Sequence, residues 1–205
     1  MPDALDILLE RSSEAIGRPI GKLGDLAERL EPIRPLLERR NGFWAGLSAL
    51  YILPFDHLEK PNLELTDAIV EYAGRYEALR QGTIFGFDLY GMPFLFNESG
   101  FGHLNYETGE VDAMGSSVNE WAQALVGDFG RFTAWPVAEA WQEANGPIPK
   151  DARLYPVRPF IMGGEYDISN LRPCKIEDGF GAASQIYQQT KDLPEGAQVR
   201  IVVSD

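Results

Sequence analysis

Few side chains in this sequence could do chemistry. Two histidines exist, His57 and His103. Neither has a second histidine three or four residues away, so the helical zinc pattern of metallopeptidases is missing. There is no Gly-x-Ser-x-Gly elbow to present a serine nucleophile, no phosphate-cradling P-loop and no Gly-x-Gly-x-x-Gly turn. A Ser-His-Asp or Cys-His set could still be assembled from distant positions, because its members need not be neighbours in sequence. His57 follows Pro54-Phe55-Asp56 in a predicted loop, where a solvated or hydrogen-bonded histidine is the expectation. Cys174, the single cysteine, cannot make an internal disulfide, and no metal-ligand spacing surrounds it. It reads as a small, half-buried residue of a reducing compartment.

The carboxylates offer more. Glu107, Glu110 and Asp112 cluster at one turn and Asp88 sits at another. Paired carboxylates can hydrolyse a glycoside or hold a hard cation. The spacing of a calcium-binding loop is absent, however, and turns collect acids because turns face water. Trp135 and Trp141 flank a predicted short helix and could line a small-molecule groove, but helix packing explains them more simply. Trp121 falls on a helix stripe, a core position, and Trp44 in a strand.

Charge says more than any motif. Thirty-one acids stand against 18 bases, a formal net charge of −13 over 205 residues. Nucleic acid is therefore not expected as a direct partner, since phosphates must be met by Lys and Arg. An anionic membrane surface is disfavoured for the same reason. From 81 to 130 there is no Lys or Arg at all, while Asp88, Glu98, Glu107, Glu110, Asp112, Glu120 and Asp128 fall within that stretch. One-signed turns of this kind favour encounter with a basic protein. Asp88, Glu98, Glu107, Glu110 and Asp112 are the expected contact residues. No cofactor is expected. No apolar run is long enough to cross a bilayer and the N-terminus lacks the pattern of a signal peptide, so a cytoplasmic address is the expectation.

The elements that must position these residues follow from periodicity. Leu23, Leu26, Ala27 and Leu30 share a helix face that Pro32 interrupts, and Ile33, Leu36 and Leu37 continue it to a C-cap at Asn41-Gly42. Short strands are predicted at 43–45 and 49–53, then a helix over 66–79. Residues 83–87, 93–97, 102–106 and 111–114 read as an antiparallel meander with Gly-bearing turns. Ser117-Val118-Asn119-Glu120 has the capping-box pattern. It opens a helix that lays Val118, Trp121, Ala122, Leu125, Val126 and Phe129 on one face. Pro136 suits the first turn of a further helix to Asn145. In the last fifty residues, strands are predicted at 158–162, 170–176 and 198–203 with a helix over 182–190, a βαβ-like block.

Ile84-Phe85-Gly86-Phe87-Asp88, Gly91 and Phe94-Leu95-Phe96 resemble the strand–Asp–x–x–Gly–strand signature of SMI1/KNR4-type domains of the SUKH superfamily. Leu36 to Phe43 and Ala49 to Pro54 resemble that family's opening helix and strand. Gly109-Glu110-Val111 with Ser116-Ser117-Val118-Asn119-Glu120-Trp121 resembles its closing strand and Ser-capped helix. The resemblance implies a non-catalytic binding module. Bacterial members resemble cytoplasmic immunity proteins that neutralise a cognate toxin, often a nuclease or deaminase; eukaryotic members resemble regulatory scaffolds. It also implies that Asp88 and Gly91 are turn residues, with no catalytic role.

Together these readings predict one α+β domain over 1–205, a central, mostly antiparallel sheet flanked by helices. Its core spans about 23–129, and a C-terminal extension of about 153–205 packs on it. The alternatives are a small-molecule-binding protein or hydrolase that uses the acidic turn or the Trp135–Trp141 region, and a regulatory scaffold.

Overall fold

The computed structural model describes residues 3–20, 27–55, 71–80, 82–194 and 196–197. Its architecture is α+β, a six-stranded antiparallel sheet flanked by helices with a separate two-stranded sheet. Strands β1 (Phe43–Ala45), β2 (Leu50–Ile52), β3 (Thr83–Phe87), β4 (Pro93–Asn97), β5 (Gly100–Leu104) and β6 (Val111–Gly115) lie in the sheet in chain order. Every neighbouring pair is antiparallel. Pro93 opens β4, where a missing N–H costs least.

All five residues of β3 are buried, so this central strand is covered on both faces. Helix α5 (Val118–Gly127) closes one face. Its Trp121 is fully buried and meets Phe85 and Phe94 edge-on, with ring centroids 5.0 and 5.8 Å apart. That geometry sets the positive ring edge against the negative face. Val118, Ala122 and Leu125 are buried beside it. Val126 and Phe129 are only partly covered, because the helix ends at Gly127 and Phe129 begins α6 (Phe129–Thr133).

The Ser117 hydroxyl caps α5 by accepting from the Glu120 amide at 3.3 Å. The reciprocal half of the predicted capping box is absent. Glu120 instead accepts from the Ser116 amide and hydroxyl, at 2.7 and 2.9 Å. A complete box stands at α1 (Ala4–Glu10), where Asp3 and Asp6 exchange backbone bonds. Helix α1 packs against α5. The short helices α2 (Ala27–Leu30) and α3 (Arg34–Arg39) are joined by a 3₁₀ turn over Glu31–Ile33, where Pro32 interrupts the pattern.

Between β2 and β3, residues 71–73 are helical and α4 spans Glu77–Arg80. These fall at the end of the predicted helix, whose positions 66–70 lie outside the described residues, as do His57 and the predicted strand at 198–203. Helix α7 (Trp135–Asn145) carries Pro136 in its first turn, as expected.

The C-terminal block departs from the βαβ expectation. Strand β7 is Ala152–Pro156, and it pairs antiparallel with β8 (Leu171–Lys175) before α8 (Ile176–Thr190). The predicted strand at 158–162 is a 3₁₀ turn over Phe160–Met162, bounded by Pro159 and by Gly163 at φ 79°. A single hydrophobic core, from Leu5 to Ala183, draws on both sheets and the helices around them.

Candidate functional site

The acids that the sequence groups together separate in three dimensions. Asp88 is 3 % exposed and Glu107 4 %, so neither can meet a partner, which corrects the expectation that all the turn acids face water. Each is inside because main-chain amides need it there. Asp88 Oδ1 accepts from the Tyr90 and Met92 amides at 2.9 and 2.8 Å, which builds the β3–β4 turn. Gly91 completes that turn at φ 76°, and a Cβ at this position would strike the Tyr155 hydroxyl. Glu107 accepts from the Phe160 amide at 3.1 Å and the Ile161 amide at 2.7 Å, capping the 3₁₀ turn of the C-terminal block. Burial pushes the Glu107 carboxyl upward in pKa, and the two amide bonds oppose that shift.

Glu98, Glu110 and Asp112 are exposed. Glu98 lies in the β4–β5 turn and Glu110 beyond the far end of β5, so they occupy opposite ends of one strand. Glu110 and Asp112 share the β6 end with exposed Asp128, whose side chain caps α6. Glu139 and Glu143 are exposed one turn apart on α7. From 82 to 149 the sequence contains one base, Arg131. It is exposed and pairs with Asp112 at 2.9 Å, a surface pair of little energetic weight. Glu98, Glu110, Asp112, Glu120, Asp128, Glu139 and Glu143 therefore face water with one cation among them.

The His103 Nε2 lies 3.3 Å from the Asp88 Oδ2, and Nε2 makes no hydrogen bond among the described residues. The ring stacks on Phe94 at 4.6 Å with 11 % of the side chain exposed. No group of three or more His, Cys, Asp or Glu side chains among the described residues is placed to hold a metal ion. Cys174 is half-buried, and burial with nearby Asp178 and Glu177 raises its thiol pKa, which leaves it a poor nucleophile. Trp141 is buried and Trp135 is 36 % exposed.

Sequence reasoning missed the most unusual group, Arg153. Its side chain is fully buried, with the guanidinium 4.4 Å over the Trp44 ring and 5.3 Å from Tyr51. Trp44 and Tyr51 stack on each other at 3.9 Å across β1 and β2. One nitrogen, Nη1, donates to the Ser48 carbonyl at 3.0 Å, while Nε and Nη2 have no partner among the described residues. Desolvation pulls the pKa down to about 10. The accepting turn is strained: Gly46, Leu47 and Ser48 stand at φ 57°, 53° and 68°, the left-handed region that disfavours non-glycine residues. Gln142 of α7 holds the same turn by donating to the Leu47 carbonyl at 2.7 Å. Leu47 is left 54 % exposed at the tip. A signal existed in the sequence, an arginine between apolar neighbours in Ala152-Arg153-Leu154-Tyr155, but burial of such a residue is rare without an acidic partner.

Among the described residues no helix is long and apolar enough to cross a membrane. No protein-family model and no curated protein matches the chain. Among solved structures, the chain is similar to the crystal structure of Atu4351 from Agrobacterium tumefaciens, with a TM-score of 0.60 over 86 % of both chains at 14 % sequence identity. That likeness is one of fold.

Proposed function

We propose that this chain is a non-catalytic protein-binding module of the SMI1/KNR4 kind, acting as an immunity protein that neutralises a basic toxin such as a nuclease or deaminase. The observation that carries the reading is the segment 82–149, where seven acids are exposed and Arg131 is the single base. Such a field speeds the approach of a cationic surface and repels nucleic acid. It presents to a nuclease the charge that the nuclease's own substrate presents. The buried polar groups support the same reading, because Asp88 and Glu107 are committed to main-chain amides. The binding acids are then Glu98, Glu110 and Asp112 of the expected set, with Glu120, Asp128, Glu139 and Glu143 added.

The test is co-expression of the tagged chain with the product of any adjacent toxin-like reading frame, followed by purification at low and at high salt. Retention of a basic protein at low salt, weakened at high salt, is expected. The opposing result is no basic partner together with a rise in melting temperature on adding a divalent metal or a metabolite. A saturating ligand would stabilise the fold by about 2.7 kcal/mol at a hundredfold excess over its Kd.

A further inference from the structure

Helices α1 and α5 pack against each other, and an open groove of about 580 Å³ runs along their junction. Ala4 and Ile7 of α1 and Val126 of α5 line it, each half-buried. Its polar lining includes Asp3, Glu120 and the exposed Gln123. The hollow between two packed helices has the width and direction to seat a third, whose apolar face then lies on the seam.

Charge decides which helix fits. No base lines the groove. Asp3 and Asp6 share one cation, Arg39, so together they keep a net negative charge. Glu120 adds another, and exposed Asp128 follows the lining residue Gly127 directly. The bases Arg11 and Arg40 stand at the other end of α1, where Arg40 donates to the Leu9 carbonyl at 2.7 Å. Two of these acids are held in place and in the ionised form. The Arg39 guanidinium keeps the Asp3 carboxyl at about 2, and bonds from the Ser116 amide and hydroxyl lower that of Glu120. Carboxylates already ordered lose little conformational entropy on meeting a cation.

A wholly apolar segment seated here would strand these charges, and an acidic one would be repelled. We propose that the α1–α5 groove receives an amphipathic helix of the basic partner, its apolar side on Ala4, Ile7 and Val126 and its Lys or Arg side chains toward Asp3, Glu120 and Asp128. This rests on the reading above for the partner's charge, and adds where the partner's apolar residues go. The acids elsewhere on 82–149 then steer the approach, while the groove holds what arrives.

The probe is a fluorescent peptide of about eighteen residues, with Leu at helical spacing and Lys between, titrated with the full-length chain at low salt. Saturable binding is expected. Replacing Leu by Ser at unchanged charge weakens it at least about tenfold, and replacing Lys by Glu abolishes it. I7K and Q123K each raise the Kd at least about tenfold. Q123K alters an exposed side chain and leaves packing alone, and unchanged circular dichroism certifies that I7K folds. L47K adds the same charge at an exposed position of the 46–48 turn and leaves binding within about twofold of the unmodified chain. Absence of saturable binding overturns the proposal, as does equal binding of the Ser peptide or a Q123K no weaker than L47K. Co-purification separates the two readings. A basic partner retained undiminished by I7K and Q123K overturns the groove and leaves the proposed function standing. Groove-dependent peptide binding with no basic partner recovered upholds the groove as an acceptor of cationic helices and counts against the proposed function.

Discussion

Glu107 and Ile161 stand fifty-four positions apart in sequence and meet through a 2.7 Å bond from the Ile161 amide to the buried Glu107 carboxylate. With the neighbouring bond from Phe160, it fastens the end of the meander to the C-terminal block. Replacing Glu107 with alanine leaves two amides unsatisfied and is expected to lower stability by about 2 to 4 kcal/mol, read from urea midpoints. E107Q keeps an acceptor and removes a desolvated charge, so it costs less than E107A. Equal losses in the two variants would contradict this assignment.

Acid unfolding separates two carboxylates of opposite behaviour. Arg39 grips Asp3 through two 2.7 Å bonds and holds its pKa down at about 2. The folded value lies below the unfolded one, so stability from Asp3 is present above the ordinary range and is lost as pH falls toward about 2. Glu107 is raised, so its contribution is full below the ordinary glutamate range and declines as pH rises through the folded value. Stability against pH should therefore lose part of its acid limb in D3N and part of its decline above that range in E107Q. Curves that stay superimposable on the unmodified protein would refute both attributions.

Arg153 tests whether a buried cation stabilises or merely positions. It makes one hydrogen bond and leaves Nε and Nη2 without partners among the described residues, so methionine should be tolerated to within about 1 kcal/mol. Alanine opens a cavity beside Trp44 and Tyr51 and is expected to cost about 3 kcal/mol. In R153M the 46–48 turn loses its Ser48 tie, and amide exchange there should accelerate while the sheet core stays protected.

The acids divide into two groups by exposure, and binding kinetics should do likewise. E110Q, D112N and D128N are expected to slow association with the basic partner by up to about tenfold when combined, and to flatten its salt dependence, with dissociation little changed. D88N and E107Q should leave the association rate alone, since both carboxylates are buried. If D88N slowed association while E110Q did not, the contact surface would have to be reassigned.

Trp121 is the central core aromatic, and W121A is expected to cost about 3 to 5 kcal/mol. W121F should be milder, because the indole Nε1 has no hydrogen-bond partner among the described residues to lose. Calorimetric melting of the two variants checks the order.

The meander and the Trp121 helix were legible because each rests on local signals. Short apolar runs between Gly-bearing turns, and a 3.6-residue stripe behind a capping serine, are written in consecutive residues. Strand β7 was not legible, since Arg153 occupies a fully buried position and breaks the apolar run that announces a strand. Residues 158–162 looked like a strand by composition, but a carboxylate from Glu107 turns their amides into a 3₁₀ cap. The acidic character of the surface could be read from composition. Which acids reach water could not, because Asp88 and Glu107 are buried by main-chain amides that periodicity does not reveal.

The chain-order sheet also has a kinetic meaning. Strands that pair with their sequence neighbours close short loops, so β3 to β6 can zip together at low entropic cost. The Glu107 tie and the Arg153–Ser48 bond, the latter spanning 105 positions, must wait for the rest of the chain. The slowest folding phase of this molecule should accordingly be the docking of the C-terminal block, with the meander already protected before it begins.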